Sequence, residues 1–212
     1  VNQYMPGDET SFTIIAFPKP DIGPDFEEIF RETIRINTLD YGKYQRIQQH
    51  IIDALDKAGH VIITGRDDNE TCMKVMLHPL HDRSRETNFE NCVSDVNIPL
   101  GEVFTSPVLT GTEGLLHVRN VYVGDYQFKN LRMRFKDGRV TEFSCGNFEK
   151  DGAAGDGSAR GEASQDEAAQ GRALVKQVIM HNHEWLPLGE FAIGTNTAAY
   201  ARSEERRVGK EC

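Results

Sequence analysis

The sequence has no long apolar run. A membrane-spanning helix needs about 18–20 consecutive apolar residues, and no stretch of the 212 residues is that long. The sequence therefore predicts no transmembrane helix. The first residues, Val1–Gly7, contain neither a basic stretch nor an apolar stretch, and we therefore expect no secretory signal peptide. These absences favour a cytoplasmic protein that does not act at a membrane.

Cysteines are few and widely separated. The four of them are Cys72, Cys92, Cys145 and Cys212, and no two form a CxxC pair. This spacing favours reduced thiols over a disulfide framework or a zinc knuckle. Neither Cys92 nor Cys145 has a neighbouring His or basic residue in the sequence that would activate its thiol, so both are predicted to be ordinary buried thiols.

Basic residues are in the minority. The chain has 24 Lys and Arg against 33 Asp and Glu, which gives a net charge of -9. An acidic chain repels phosphate backbones, so we expect no nucleic-acid partner. The remaining composition, 38% hydrophobic and 27% charged, is typical of a globular protein with one large or two small domains.

Residues 1–85 are predicted to form an α/β N-terminal portion. Apolar residues spaced three or four apart predict an amphipathic helix that begins at Asp25 and a second that runs from about Asp40 to Ala58 and stops at Gly59. Tyr44, Ile47, Ile51, Ile52 and Leu55 form the apolar face of the second helix. Short apolar runs predict strands at Phe12–Phe17, His60–Gly65 and Met73–His78.

Residues 86–201 begin with a different pattern. From Leu115 to Phe143, apolar and polar residues alternate, and Gly124-Asp125 and Lys136-Asp-Gly138 interrupt the alternation as hairpin turns, which predicts an antiparallel meander of about three strands. Residues 149–172 are rich in Gly, Ala and acids and predict a mobile loop, which passes near Ser164 into a helix through Ala173–Met180. Gly189–Gly194 predicts another strand. The predicted fold class is therefore mixed α+β.

The final segment, residues 202–212, has a single aliphatic residue and no pattern that would pack. It resembles the translation of a sequencing adapter of the kind found at the broken ends of assembled reading frames. We therefore expect a non-native or disordered tail, and a chain that is a fragment of a longer protein. A charged natural tail is the alternative.

Two glutamates stand in unusually apolar surroundings. Glu102 and Glu190 each end a Pro-Leu-Gly-Glu tetrapeptide and are each followed by apolar residues. Burial of a carboxylate as an ion is costly unless a positive charge compensates it, and a divalent metal is one such compensator. A helix cap or an arginine partner is the more common explanation, so spacing alone does not decide the role.

Four blocks of the sequence resemble the thermophilic metalloaminopeptidase family of the aminopeptidase T type. They are Asn97-Ile-Pro-Leu-Gly-Glu-Val-Phe-Thr-Ser-Pro107, Gly111-Thr-Glu-Gly114, Phe135–Phe143 and Leu188-Gly-Glu-Phe-Ala-Ile-Gly-Thr-Asn196. The resemblance runs in order from about residue 86 to 201, and the part before residue 86 has weaker motifs. It implies that residues 86–201 are part of a metallopeptidase catalytic region.

The resemblance implies a metal-dependent aminopeptidase that takes peptides with a free N-terminus and forms homo-oligomers. Glu102 and Glu190 would be ligands of two divalent metal ions, which could be Zn, Co or Mn. The family completes its site with a His, a Tyr and a His-x-Asp pair after the Gly-Thr-Asn block, and this chain ends soon after that block. We therefore expect the chain alone to be inactive. A non-catalytic peptide- or protein-binding α/β module is the alternative.

Several histidines resemble metal ligands only superficially. His181 and His183 are two residues apart and would point in different directions, so an exposed helix end is the preferred interpretation. His78 and His81 flank a proline that breaks any helix between them, which favours a polar loop. His117 lies in an alternating strand and is predicted to be half-buried.

Overall fold

The computed structural model describes residues 17–93, 101–148 and 165–198, and the backbone of residues 14–15 and 97–98. Within these residues the chain has a mixed α+β fold, which confirms the predicted class. The elements are β1 (Ile14–Ile15), α1 (Phe26–Asn37), α2 (Tyr41–Leu55), β2 (His60–Thr64), β3 (Cys72–Met76), β4 (Glu90–Cys92), β5 (Asn97–Ile98), β6 (Glu102–Thr105), β7 (Val108–Val123), β8 (Tyr126–Lys136), β9 (Arg139–Ser144), α3 (Gln165–Val178) and β10 (Phe191–Gly194). None of the helices in the described ranges is long and apolar enough to cross a membrane.

The chain divides into two compact units that are interleaved along the sequence. The first comprises residues 1–57, 80–105 and 192–212, and the second comprises residues 58–79 and 106–191. The boundary predicted between residues 85 and 86 is based on motifs and stays a prediction, as does the separate tail at 202–212, which lies outside the described residues.

The first unit contains α1 and α2. Asp40 is the N-cap of α2, where its carboxylate accepts a hydrogen bond from the backbone N–H of Lys43 at 2.9 Å. The helix ends at Leu55, and Asp56 rather than Gly59 is its C-cap, so the predicted helix was too long at this end. Strands β4, β6 and β10 form a three-stranded sheet in the order β10-β6-β4, and β1 pairs with β5 in parallel.

The second unit contains a five-stranded sheet with the order β2-β3-β7-β8-β9. Every neighbouring pair is antiparallel, which confirms the predicted meander. The predicted turns have the positive φ angles that hairpin turns need: +58° at Gly124, and 47° and 64° at Asp137 and Gly138. Strand β7 begins at Val108, seven residues before the predicted start at Leu115.

Helix α3 packs its buried residues into the core of the second unit. This core includes Phe128, Val175 and Met180, none of which is accessible to solvent. The helix begins at Gln165, so residues 165–172 of the predicted mobile loop are helical. Position 171 requires glycine, because a Cβ there would lie 2.4 Å from the carbonyl oxygen of Cys145. Residues 149–164 of the predicted loop lie outside the described residues.

Candidate metal site

Glu102 is the first residue of β6 and is half-buried. It lies opposite Cys92 of β4 in the antiparallel register. The preceding residue, Gly101, has a φ of +90°, and a Cβ at this position would lie 2.9 Å from Thr195 Oγ1. Glycine is therefore required before Glu102 both by the backbone conformation and by the close packing against Thr195.

A buried amide holds the start of β6. Gln48 of α2 is 0% exposed, and its Nε2 donates to Asn91 Oδ1 at 2.7 Å, to the carbonyl of Cys92 at 3.1 Å and to the carbonyl of Glu102 at 3.2 Å. Its Oε1 accepts a hydrogen bond from Thr195 Oγ1 at 2.8 Å. One side chain thus links α2, β4, β6 and the residue that follows β10.

The Gly-Thr-Asn sequence after β10 has structural contacts of its own. The backbone N–H of Thr195 donates to the carbonyl of Gly101 at 2.8 Å. The side-chain amide of Asn196 donates to the carbonyl of Ile36 in the last turn of α1, also at 2.8 Å. Because α1 has carbonyl groups at its C-terminal end that no intrahelical N–H satisfies, Asn196 acts there as a cap from a distant part of the chain.

Glu190 lies directly before β10 and is exposed. It belongs to the second unit, whereas Glu102 belongs to the first. The segment before Glu190 is fixed on the β8-β9 hairpin, where the N–H of Leu188 donates to the carbonyl of Gly138 at 2.7 Å. A Cβ at Gly189 would meet nothing within 4 Å. The two Pro-Leu-Gly-Glu sequences therefore place their glycines in different environments.

Glu102 and Glu190 are the described residues that the sequence predicts to bind metal. Carboxylates suit hard and borderline divalent cations, and Glu102 and Glu190 have the required donor type. No group of three or more His, Cys, Asp or Glu side chains that could hold a metal ion occurs within residues 17–93, 101–148 and 165–198. The ligand roles of Glu102 and Glu190 stay predictions.

The two histidine pairs lie where the sequence predicted them, one at an exposed helix end and one in a loop. His181 and His183 are exposed and follow the end of α3, with His181 in a positive-φ conformation. His78 and His81 lie in the loop after β3. In this loop the backbone N–H groups of Asp82 and His81 donate to the Glu86 carboxylate and lower its pKa.

His117 differs from its prediction. It is 2% exposed instead of half-buried, and its Nδ1 accepts a hydrogen bond from the backbone N–H of Glu70 at 3.0 Å. Its backbone carbonyl accepts from Thr71 Oγ1, also at 3.0 Å, and from the amide of Asn69 at 3.1 Å. Its Nε2 is buried and has no hydrogen-bond partner within the described ranges. The loop between β2 and β3 covers this histidine, which the alternation within β7 could not predict.

The sequence interpretation also missed Gln48. The helical stripe of α2 that contains Tyr44, Ile52 and Leu55 passes through position 48 at a spacing of four residues, so Gln48 lies on the buried face. The prediction assigned Ile47 to that face, and Ile47 is 42% exposed. A polar residue at helical spacing within an apolar stripe is the signal that could have revealed it.

A sequence comparison identifies the class of protein. Residues 25–150, more than half of the 212, match the profile of a metalloprotease family, and the matched region includes Glu102 but ends before Glu190. The chain belongs to the thermophilic metalloprotease (M29) family.

The chain also resembles a solved structure, wild-type AmpT from Thermus thermophilus. The identity is 16% and the TM-score is 0.44, and the match covers 62% of this chain and 34% of that chain. This chain therefore spans about a third of the length of that relative. No curated protein sequence matches it.

Proposed function

We propose that the protein is a metal-dependent aminopeptidase that removes N-terminal residues from peptides with a free N-terminus. The observation that supports this most directly is the match to the metalloprotease family over residues 25–150, which include Glu102 and the strand that it begins. Two divalent metal ions, of Zn, Co or Mn, would polarise the scissile carbonyl and lower the pKa of a bound water.

Glu102 and Glu190 would be carboxylate ligands of this centre. The contacts around Glu102 support its role, because a metal ligand must be held in place by packing and hydrogen bonds around it. The Gln48 amide donates to the Glu102 carbonyl, and Gly101 packs against Thr195. Both contacts restrict the backbone from which the Glu102 carboxylate projects.

The 212 residues alone should have little or no peptidase activity. A metal ion in a protein takes about four ligands or more, so two carboxylates cannot complete the coordination of two ions. Calorimetric titration with Zn²⁺, Co²⁺ or Mn²⁺ tests this expectation. We expect binding weaker than micromolar, and stoichiometric two-site binding at sub-micromolar affinity would contradict an incomplete site.

Substitution of the ligands separates their roles from general charge effects. Glu102→Gln and Glu190→Gln should each remove the residual metal binding, whereas Glu90→Gln should retain it. Glu90 is the matched control because it is an exposed glutamate on β4, next to β6 in the same sheet. Equal loss of binding in all three variants would indicate nonspecific attraction of the cation to an acidic surface.

Hydrolysis of an unblocked leucyl chromogenic substrate tests the activity itself. We expect no turnover above background from the 212-residue chain, with or without added metal. Turnover comparable to that of a complete aminopeptidase would contradict the proposal that these residues form only part of the site. Light scattering would test the further proposal that the protein forms homo-oligomers.

A further inference from the structure

An open groove with a volume of about 560 Å³ lies on the second unit. It is lined by Glu70, Leu115, Arg132, Arg134, Thr141, Glu142, Phe143, Ser144 and Arg172. Three of these residues are arginines and two are glutamates, so the lining carries a net positive charge although the whole chain has a net charge of -9. Such a local reversal of sign favours an anionic ligand.

The three arginines differ in how strongly they are paired. Arg132 contacts both carboxylate oxygens of Glu70, at 2.6 Å and 3.3 Å, which is a two-point ion pair. Arg134 contacts Glu142 at 3.4 Å, and both side chains are more than half exposed, so this pair is weak. Arg172 forms no ion pair with any residue in the described part of the chain. Arg134 and Arg172 are therefore the guanidinium groups available to a ligand.

The wall of the groove on the Arg132 side is fixed by buried contacts. The backbone N–H of Glu70 donates to Nδ1 of the buried His117, and His117 lies opposite Arg132 in the β7-β8 register. This bond fixes the backbone of Glu70, whose carboxylate pairs with Arg132 while both side chains stay partly exposed. A ligand would meet this ion pair already formed.

The remaining lining indicates a peptide more than a small inorganic anion. Thr141 and Ser144 supply hydroxyl groups, and Leu115 and Phe143 supply apolar surface for the methylene groups of a side chain. A second groove shares Arg134, Thr141 and Glu142 with the first and adds Lys136 and Glu113, so its charges balance. The excess of basic residues is therefore confined to the first groove.

We propose that this groove binds an acidic peptide segment, with ligand carboxylates received by Arg134 and Arg172. Guanidinium groups bind carboxylates through two parallel hydrogen bonds, which gives this contact geometric specificity. The proposal concerns the second unit and does not depend on the metal centre.

Titration with two blocked peptides, acetyl-Glu-Glu-Glu-amide and acetyl-Gln-Gln-Gln-amide, tests the proposal. The experiment is done in the presence of a metal chelator, so the aminopeptidase proposal can fail without affecting the result. We expect the acidic peptide to bind at least about tenfold more tightly than its neutral counterpart, and the binding to weaken as salt is raised. Equal binding of the two peptides, or no binding of the acidic peptide at millimolar concentration, would overturn the proposal.

Three variants locate the binding. Arg134→Gln and Arg172→Gln should each weaken binding of the acidic peptide at least about fivefold, because each removes one charge-assisted contact. Arg83→Gln is the control, since Arg83 is an exposed arginine of the first unit and should leave the affinity unchanged. An equal effect of all three variants would show that the peptide responds only to total charge. Inorganic phosphate that binds through Arg134 and Arg172 while the acidic peptide does not would also overturn the peptide assignment.

Discussion

Replacement of Gln48 by Met tests whether the buried amide holds the strand that begins at Glu102. Met has nearly the same length and volume as Gln, so the substitution removes the polar group without opening a large cavity. Four contacts disappear with it: three that share the two N–H groups of Nε2, to Asn91, Cys92 and Glu102, and one accepted from Thr195.

The expected cost follows from these four contacts. A hydrogen bond within a protein contributes about 1 kcal/mol net, so the two N–H groups and the oxygen of Gln48 contribute about 3 kcal/mol. The gain from burial of a more apolar side chain is offset by the buried partners left unpaired, and we expect Gln48→Met to lower the free energy of unfolding of the first unit by about 3 kcal/mol. This is a large share of the about 5–15 kcal/mol by which proteins are stable.

Amide hydrogen exchange at Thr195 measures the effect locally, because this N–H donates to the carbonyl of Gly101 at 2.8 Å. A loss of about 3 kcal/mol corresponds to exchange at least about a hundredfold faster. The matched control is Gln45→Met on the same helix: Gln45 is exposed, and its only contact among the described side-chain hydrogen bonds is through its backbone carbonyl. The control should change stability by less than about 0.5 kcal/mol. Equal exchange rates in the two variants would refute the reasoning.

Two further predictions concern the backbone and pH. Gly114 and Gly124 both have positive φ, but a Cβ at Gly114 would lie 2.1 Å from the carbonyl oxygen of Cys72, whereas a Cβ at Gly124 would meet nothing within 4 Å. In urea unfolding, Gly114→Ala should therefore cost more than about 3 kcal/mol and Gly124→Ala about 1 kcal/mol, and similar costs would show that strain in φ alone decides the effect. Hydrogen bonds from the side chain and the backbone N–H of Ser84 lower the pKa of Asp82. These bonds therefore stabilise the turn fully at pH values above the ordinary pKa of Asp, and the stabilisation is lost as the pH falls through the lowered pKa. An NMR titration should show a higher pKa for Asp82 in Ser84→Ala than in the unchanged chain, and an unchanged value would contradict the assignment to the hydroxyl.

Local patterns predicted most of the second unit. The turns at Gly124-Asp125 and Asp137-Gly138 could be predicted because few residues adopt positive φ, and the alternation between them set the register of β7 to β9. The start of β7 was missed because Val108–Gly114 contains two glycines and no clear alternation. The start of α3 was missed in part because Ala and acidic residues suit both a solvated loop and an exposed helix.

Burial of polar side chains could not be predicted in the same way. His117 is buried because the segment that contains Asn69, Glu70 and Thr71 folds over it, and this contact joins residues more than forty positions apart. Sequence periodicity describes one element at a time and carries no information about a distant loop that covers it. The same reason applies to Gln48, whose partners lie on β4, β6 and the residue after β10.

The two blocks that carry the family resemblance combine structural residues with candidate ligands. Gly101 allows the close approach of Thr195, Thr195 bonds Gly101 and Gln48, and Asn196 caps α1, so these residues have a role in folding that needs no metal. Glu102 differs, because its proposed role is that of a metal ligand. Folding therefore explains the Gly, Thr and Asn of the motifs, and the proposed metal binding would involve the glutamate. For this reason Glu102→Gln should reduce metal binding and leave the hydrogen-exchange rate of the Thr195 amide unchanged. Gln48→Met should instead raise that exchange rate.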